Sequence, residues 1–228
     1  MNGHDILFRI GPLAITDTVV TTWGIVATVW ALCWLLTRRL RVDPGPLQTA
    51  LEGVVSVQER AIAQAVPGEA GRLLPFIGSL WVFLVIANLI GVVPGLSSPT
   101  ADLSATVALA ILVFLSTHWF GVRSRGLRAY LAHYLRPSPI LLPFHLISEV
   151  TRTVALAVRL FGNMMSLELA ALLILLVAGF LVPVPILALH IVEALVQAYI
   201  FGMLALIYVG GGIQSQQRKT RPPNGTTS

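Results

Sequence analysis

The chain has 228 residues, of which 56% are hydrophobic and only 11% charged, and several apolar runs approach the roughly 20 residues that cross about 30 Å of hydrocarbon. A soluble globular domain is excluded. The formal net charge is +5, but the basic residues cluster at the ends of apolar runs, where they act as topology signals and do not form a nucleic-acid footprint. With Cys33 as its lone cysteine, the chain can build neither an internal disulfide nor a Cys-based metal cluster.

Residues 1–18 read as an external N-terminal segment, with Asp5 and Asp17 balanced only by Arg9. The first span, 19–37, runs into Arg38, Arg39 and Arg41. That is the wrong polarity for a cleaved signal peptide, whose positive charge precedes its apolar core. The connection 38–73 carries a moderate helical pattern, with Leu47, Leu51, Val54, Val55 and Ile62 available to one face; it either lies on the membrane surface or is a soluble connector. A second span, 74–94, ends at Pro94-Gly95, and a third, 103–122, is followed by Arg123, Arg125, Arg128 and Arg136. The fourth element, 140–181, and the fifth, 185–213, precede a polar tail, 214–228, that contains Arg218, Lys219 and Arg221 and reads as disordered.

Cytoplasmic loops carry the excess of Lys and Arg. Five spans with the N-terminus outside and the C-terminus inside satisfy every loop at once. The expected fold is therefore an all-α polytopic membrane protein of about five transmembrane helices. Residues 153–182 would make a helix of about 45 Å against about 30 Å of hydrocarbon, so the fourth element either breaks near Gly162-Asn163 or tilts steeply. Tilt is the preferred reading, because a glycine weakens a helix without forbidding it. With the similarly long fifth element it forms a steeply inclined hairpin turning at 182–185.

Arg159 lies in the middle of the fourth element. A guanidinium does not shed its proton at any relevant pH, and burying one at bilayer depth costs at least about 2.5–3.5 kcal/mol. A chain that keeps it uses it. Arg159, Asn163 and Ser166 recur at i, i+4 and i+7 and share a helix face, whereas Glu168, nine residues from Arg159, points the opposite way. On the fifth element His190, Glu193 and Gln197 form a second stripe at i, i+3 and i+7. Intramembrane polar groups face protein or a water-filled cavity, and Glu168 and His190 can exchange a proton. Asn163 and Gln197 taken alone are equally readable as interhelical glue. Glu149 and Arg152, one turn apart, are placed for an ordinary surface ion pair. No phosphate-binding loop of the Gly-x-x-x-x-Gly-Lys-Ser/Thr type occurs, and the pattern calls for no metal and no cofactor. A secondary transporter, with its midplane charge binding a substrate carboxylate, is the main alternative, but no internal repeat or pair of broken helices supports it. An intramembrane hydrolase pairing His190 with Ser166 has no supporting motif.

Arg159-Leu-Phe-Gly-Asn163-Met, preceded by Ile147-Ser-Glu149-Val-Thr-Arg152 and followed by Gln197-Ala-Tyr-Ile-Phe201 and Tyr208, resembles the a subunits of rotary F-type ATP synthases. The resemblance reaches upstream to Pro99-Thr-Ala-Asp102-Leu and covers roughly residues 76–212. It implies a static partner of a ring of c subunits, held with b-type peripheral stalk subunits and, through the complex, a soluble F1 catalytic head. Such a subunit conducts H⁺, or alternatively Na⁺, through two offset half-channels in a bacterial-type inner membrane, and is not an enzyme alone. Arg159 matches the family's essential arginine, which favours the ionised form of each passing ring carboxylate and separates the two paths. Glu168 and His190 match positions lining the outer half-channel, Gln197 the glutamine facing the arginine, and Asn163 its motif position. Three sites depart from the family pattern. Thr153-Val-Ala155 stands where Pro-x-Ser is common, Ser104 where Asn is usual, and Glu193 is an additional acid beyond His190, suited to tuning a proton path or helping to dehydrate Na⁺. The expected ion path comprises Glu168, His190, Glu193, Gln197, Asn163, Ser166 and Glu149.

Overall fold

The computed structural model describes residues 6–10, 13–38, 45–93, 98–126, 142–178 and 183–217. Arg39, Arg41, Arg128, Arg136, Arg218, Lys219 and Arg221, the turn at 179–182 and the tail beyond 217 lie outside the described residues. The protein is a polytopic membrane protein whose spanning part is all-α, with five helices among the described residues long and apolar enough to span a bilayer. A short antiparallel pair precedes them. Strand β1 (Ile6–Ile10) faces β2 (Leu13–Thr16) with Ile10 opposite Leu13 and Arg9 opposite Ala14. Two β-favouring runs separated by Gly11-Pro12 are the local signal for this hairpin, which lies within the segment read from sequence only as external.

Helix α1 (Asp17–Thr37) is almost uniformly apolar and touches the rest of the bundle lightly, mainly α3 (Ala70–Ile90). Its Trp30 and Trp34 rings stack, and the Arg38 guanidinium lies 3.7 Å from the centre of the Trp34 ring. Helix α2 (Pro46–Ala65) occupies the first connection. Pro46 suits its first turn, where a missing N–H costs no intrahelical bond. The helix packs on α3 and on α6 (Pro183–Gln217), burying Ile62 while Leu47, Leu51, Val54 and Val55 stay exposed. Gly78 of α3 admits the Gln58 side chain, because a Cβ there would come within 2.9 Å of Gln58 Oε1. Helix α3 starts four residues earlier than the apolar run suggested. Its Pro75 lies inside the helix, in the second turn, and leaves the Gly71 carbonyl without its i→i−4 donor.

A single 3₁₀ turn (Pro99–Ala101) leads into α4 (Leu103–Arg125). The Asp102 carboxylate caps α4, accepting hydrogen bonds from the Ser104 backbone N–H and hydroxyl, both at 2.8 Å. Ser104 is thereby part of a helix cap and exposed. Helix α5 (Leu142–Ala178) is continuous over 37 residues, about 55 Å at 1.5 Å per residue. It runs through Gly162-Asn163 without a break. Helix α6 is nearly as long, with 35 residues, and begins two residues before the expected start, with Pro183 in its first turn.

The core lies where α3, α4, α5 and α6 meet. Leu73, Ile77 and Leu84 of α3 pack with Leu156, Leu160 and Met164 of α5 and with Phe201, Leu206 and Val209 of α6. Small residues on α6, Ala194, Ala198, Gly202 and Ala205, are fully buried or nearly so and let neighbouring backbones approach, the usual device of helix packing in lipid. A Cβ on Gly202 would overlap the Trp81 indole, and one on Gly210 would overlap Val66. Trp81 Nε1 also donates to the Tyr199 carbonyl at 3.4 Å.

Candidate functional site

Polar side chains gather at two levels of the bundle. At one end the C-terminus of α3, the 3₁₀ turn, the second half of α5 and the first half of α6 converge. Glu168, half-buried, accepts a hydrogen bond from the Ser98 backbone N–H at 2.8 Å. His190 is 1% exposed, and neither of its ring nitrogens has a hydrogen-bond partner among the described residues. The two groups border one small space. A Cβ at Gly91 would lie 3.3 Å from His190 Cε1, 3.4 Å from Glu168 Oε1 and 3.1 Å from Ser98 Cβ. Buried polar groups are almost always paired, so an imidazole held here with both nitrogens unpaired by protein is suited to water or a passing proton. Glu193 follows one turn after His190, half-buried and, among the described residues, without a salt bridge.

Beside this pair lies a buried network that the sequence did not reveal. The Asn88 Nδ2 donates to the Ala194 carbonyl at 3.1 Å, and its Oδ1 accepts from the Thr100 hydroxyl at 2.7 Å. Thr100 Oγ1 and Ser98 Oγ are 2.6 Å apart, and the Ser98 hydroxyl donates to the Ala87 carbonyl at 2.8 Å. An amide near the C-terminal end of the apolar run 74–94 was the one available signal, since a polar group within a span is costly unless it is paired.

Near mid-length of α5, Arg159 is exposed, and among the described residues it makes no hydrogen bond or ion pair. It does not pair with Glu193. Around it Val154, Val158, Met165 and Leu169 are also exposed, and Ser166 shares this outward surface. Among the described residues, 11% of the most apolar 18-residue stretch of α5 is buried, against 44% for α3 and 39% for α6; only the peripheral α1, at 6%, is less buried. Gly162 faces open space, so no contact among the described residues requires a glycine there. One turn beyond the arginine, Asn163 Nδ2 donates to Gln197 Oε1 at 2.8 Å. Gln197 is 1% exposed and its Nε2 has no partner among the described residues.

Glu168 faces inward while Arg159 faces outward, and nine residues separate them, about 13.5 Å along the helix. Towards the other end, Glu149 is half-buried and does not pair with Arg152. The surface ion pair suggested by their spacing is replaced by a stack, with the Arg152 guanidinium 4.8 Å from the centre of the Tyr208 ring of α6. A planar cation over an aromatic face needs less side-chain ordering than a solvated ion pair and gains the ring's quadrupole.

Residues 19–210 match the family described as the ATP synthase A chain. Among similar proteins, "ATP synthase subunit a 2" of Pelobacter propionicus is 63% identical, over 95% of this chain and 95% of its own length. "ATP synthase subunit a 1" of Hahella chejuensis is 67% identical over 90% of this chain and 88% of its own, and "ATP synthase subunit a" of Legionella pneumophila 55% over 94% of each. The similarity runs through every spanning helix and both polar levels. The chain belongs to the ATP synthase A chain family, the subunit a proteins of the F-type membrane sector.

Proposed function

We propose that this subunit is the ion-conducting stator of its complex, non-catalytic by itself, and that α5 with α6 forms a steeply tilted hairpin facing a ring of c subunits. One observation supports the reading: a permanent cation stands unpaired, among the described residues, on an apolar helix surface that those residues leave exposed. In lipid such a charge requires a partner. A ring of helices, each presenting a carboxylate, supplies the counter-charge in turn and covers the apolar face. Gly162, three residues beyond Arg159, leaves room for the close approach this requires.

The fixed charge favours the ionised form of whichever carboxylate faces it and so promotes ion release. It also opposes passage of a second cation along the same line, keeping two access routes apart. Glu168 and His190, with Glu193 beside them, belong to the outer half-channel. Asn163, Gln197 and Ser166 lie at the level of the arginine, and Glu149 near the opposite, inner route. The coupling ion is H⁺ or Na⁺. The complex sits in a bacterial inner membrane with the N-terminus of this subunit outside and its C-terminus in the cytoplasm, alongside b-type stalk subunits and an F1 head. A transporter would enclose its substrate-binding cation, whereas here Arg159 faces outward.

Cysteine cross-linking tests the placement. In the intact complex, a cysteine at Val158 or Ser166 is expected to form disulfides with cysteines introduced on the outer helix of a c subunit, and one at the buried Leu160 is not. Cross-linking from Leu160 but not from the other two contradicts the proposed interface.

A further inference from the structure

We propose that Asn88 and Thr100 are positioning residues: they hold the Ser98 backbone N–H on the Glu168 carboxylate and are not steps of the ion path. The proposal rests on the half-channel reading of Glu168.

Proton counting separates the two roles. Ser98 and Thr100 bring one hydroxyl proton each. Those two protons serve three oxygen contacts, Thr100 to Asn88, Ser98 to the Ala87 carbonyl, and Ser98 with Thr100. The Thr100 backbone N–H adds a weaker bond to Ser98 Oγ at 3.3 Å. The Asn88 amide is oriented by its bond to the Ala194 carbonyl, which leaves Oδ1 as the acceptor for Thr100. The chain therefore begins and ends on main-chain carbonyls, of Ala87 and Ala194. Such oxygens accept hydrogen bonds but do not take up and pass on a proton, so a relay entering this chain has no exit. Asn88 and Thr100 are 0% exposed and Ser98 3%, which keeps water from opening one.

The network instead fixes geometry. It joins α3, through Ala87 and Asn88, to the 3₁₀ turn and to Ala194 of α6, one turn past His190. From the turn, the Ser98 N–H reaches Glu168 of α5 at 2.8 Å. Four elements are thus locked around the space between Glu168 and His190. Satisfied buried networks specify a single arrangement, and partly satisfied ones lose it.

The test is ATP synthesis by the whole complex in vesicles, driven by an imposed ion gradient, measured against the concentration of the coupling ion on the outer side. Removing a donor from an ionised carboxylate makes it hold a cation more tightly. Thr100→Val is therefore expected to lower the half-saturating ion concentration by about threefold or more, the effect of one lost hydrogen bond, while Thr100→Ser leaves it at the wild-type value. Because Thr100→Val strands a buried acceptor, the double variant Asn88→Leu/Thr100→Val is measured alongside it. With both partners apolar the fold is retained, and the double variant is expected to assemble and to show the same displaced concentration. A Thr100→Val complex with a lower maximal rate at an unchanged half-saturating concentration would show conduction through the hydroxyl and overturn the proposal. Wild-type behaviour in Thr100→Val and in the double variant, with Glu168→Gln impaired, would also overturn it and leave the half-channel reading standing. Wild-type behaviour in Glu168→Gln would defeat both.

Discussion

Gly202→Ala and Gly162→Ala are the same change in two helices of similar length, and the structure predicts opposite results for the stability of the subunit. At Gly202 the new methyl group would be driven into the Trp81 indole, which is 6% exposed, stacked on Tyr199 and bonded through Nε1 to the Tyr199 carbonyl. The new methyl group therefore forces α3 and α6 apart or drives the indole off its Tyr199 contacts towards the cavity that Trp81 lines with Val85 and Leu195. Overpacking of this kind costs about 1–3 kcal/mol, to which loss of the indole hydrogen bond adds roughly 1 kcal/mol. At Gly162 the methyl group meets nothing within the chain, and alanine is favoured over glycine in a helix by up to about 1 kcal/mol. Thermal unfolding of the detergent-solubilised subunit, followed by cysteine accessibility in the α3–α6 interface, is expected to give a lower midpoint for Gly202→Ala and an equal or higher one for Gly162→Ala. The complex adds a second contrast: Gly162→Ala is expected to slow coupled pumping despite its stable fold, because it narrows the approach to the ring. A Gly202→Ala subunit as stable as wild type would refute the packing argument.

Asn163→Leu leaves both polar atoms of the buried Gln197 unpaired and is expected to cost about 1–3 kcal/mol; Asn163→Leu/Gln197→Leu should cost less than Asn163→Leu alone, and strict additivity in chemical or thermal unfolding would contradict the pairing. His190→Phe removes no hydrogen bond within the protein, so the unfolding midpoint should stay within a few degrees while ATP-driven pumping falls at least about tenfold, the usual scale of a lost proton-transfer group being larger still. A His190→Phe complex that pumps normally would remove the imidazole from the ion path. A double-mutant cycle between Arg152→Met and Tyr208→Leu should return a coupling of about 0.5–1 kcal/mol for the stacked cation; the same cycle between Arg152 and Glu149 should return none.

The parts of this molecule that follow from periodicity and charge were legible in the sequence. Five apolar runs became five span-length helices, and the opposition of Arg159 and Glu168 follows from nine residues at 100° each: one faces out and the other touches the Ser98 turn. Contacts between distant segments were not legible. Nothing local in Ser98 or Thr100 announces that they meet Ala87 and Asn88, since these partners are joined by helix packing and not by spacing on one element. Arg152 illustrates a different failure: its one-turn separation from Glu149 suggested a pair, but Tyr208 on α6 offered a face that helix spacing alone does not reveal. The strand pair at Ile6–Ile10 and Leu13–Thr16 was missed because two short runs beside Gly-Pro carry a much weaker signal than the apolar helix that follows.

The central claim is that the exposed Arg159 serves the ring and not the fold of its own chain. ATP-driven ion pumping in vesicles carrying the whole complex, wild type against Arg159→Ala, with and without Na⁺, tests it most directly. The account predicts an assembled complex in which the substitution abolishes pumping, with the Na⁺ dependence of the wild type naming the ion; coupled pumping that survives Arg159→Ala unchanged would contradict it.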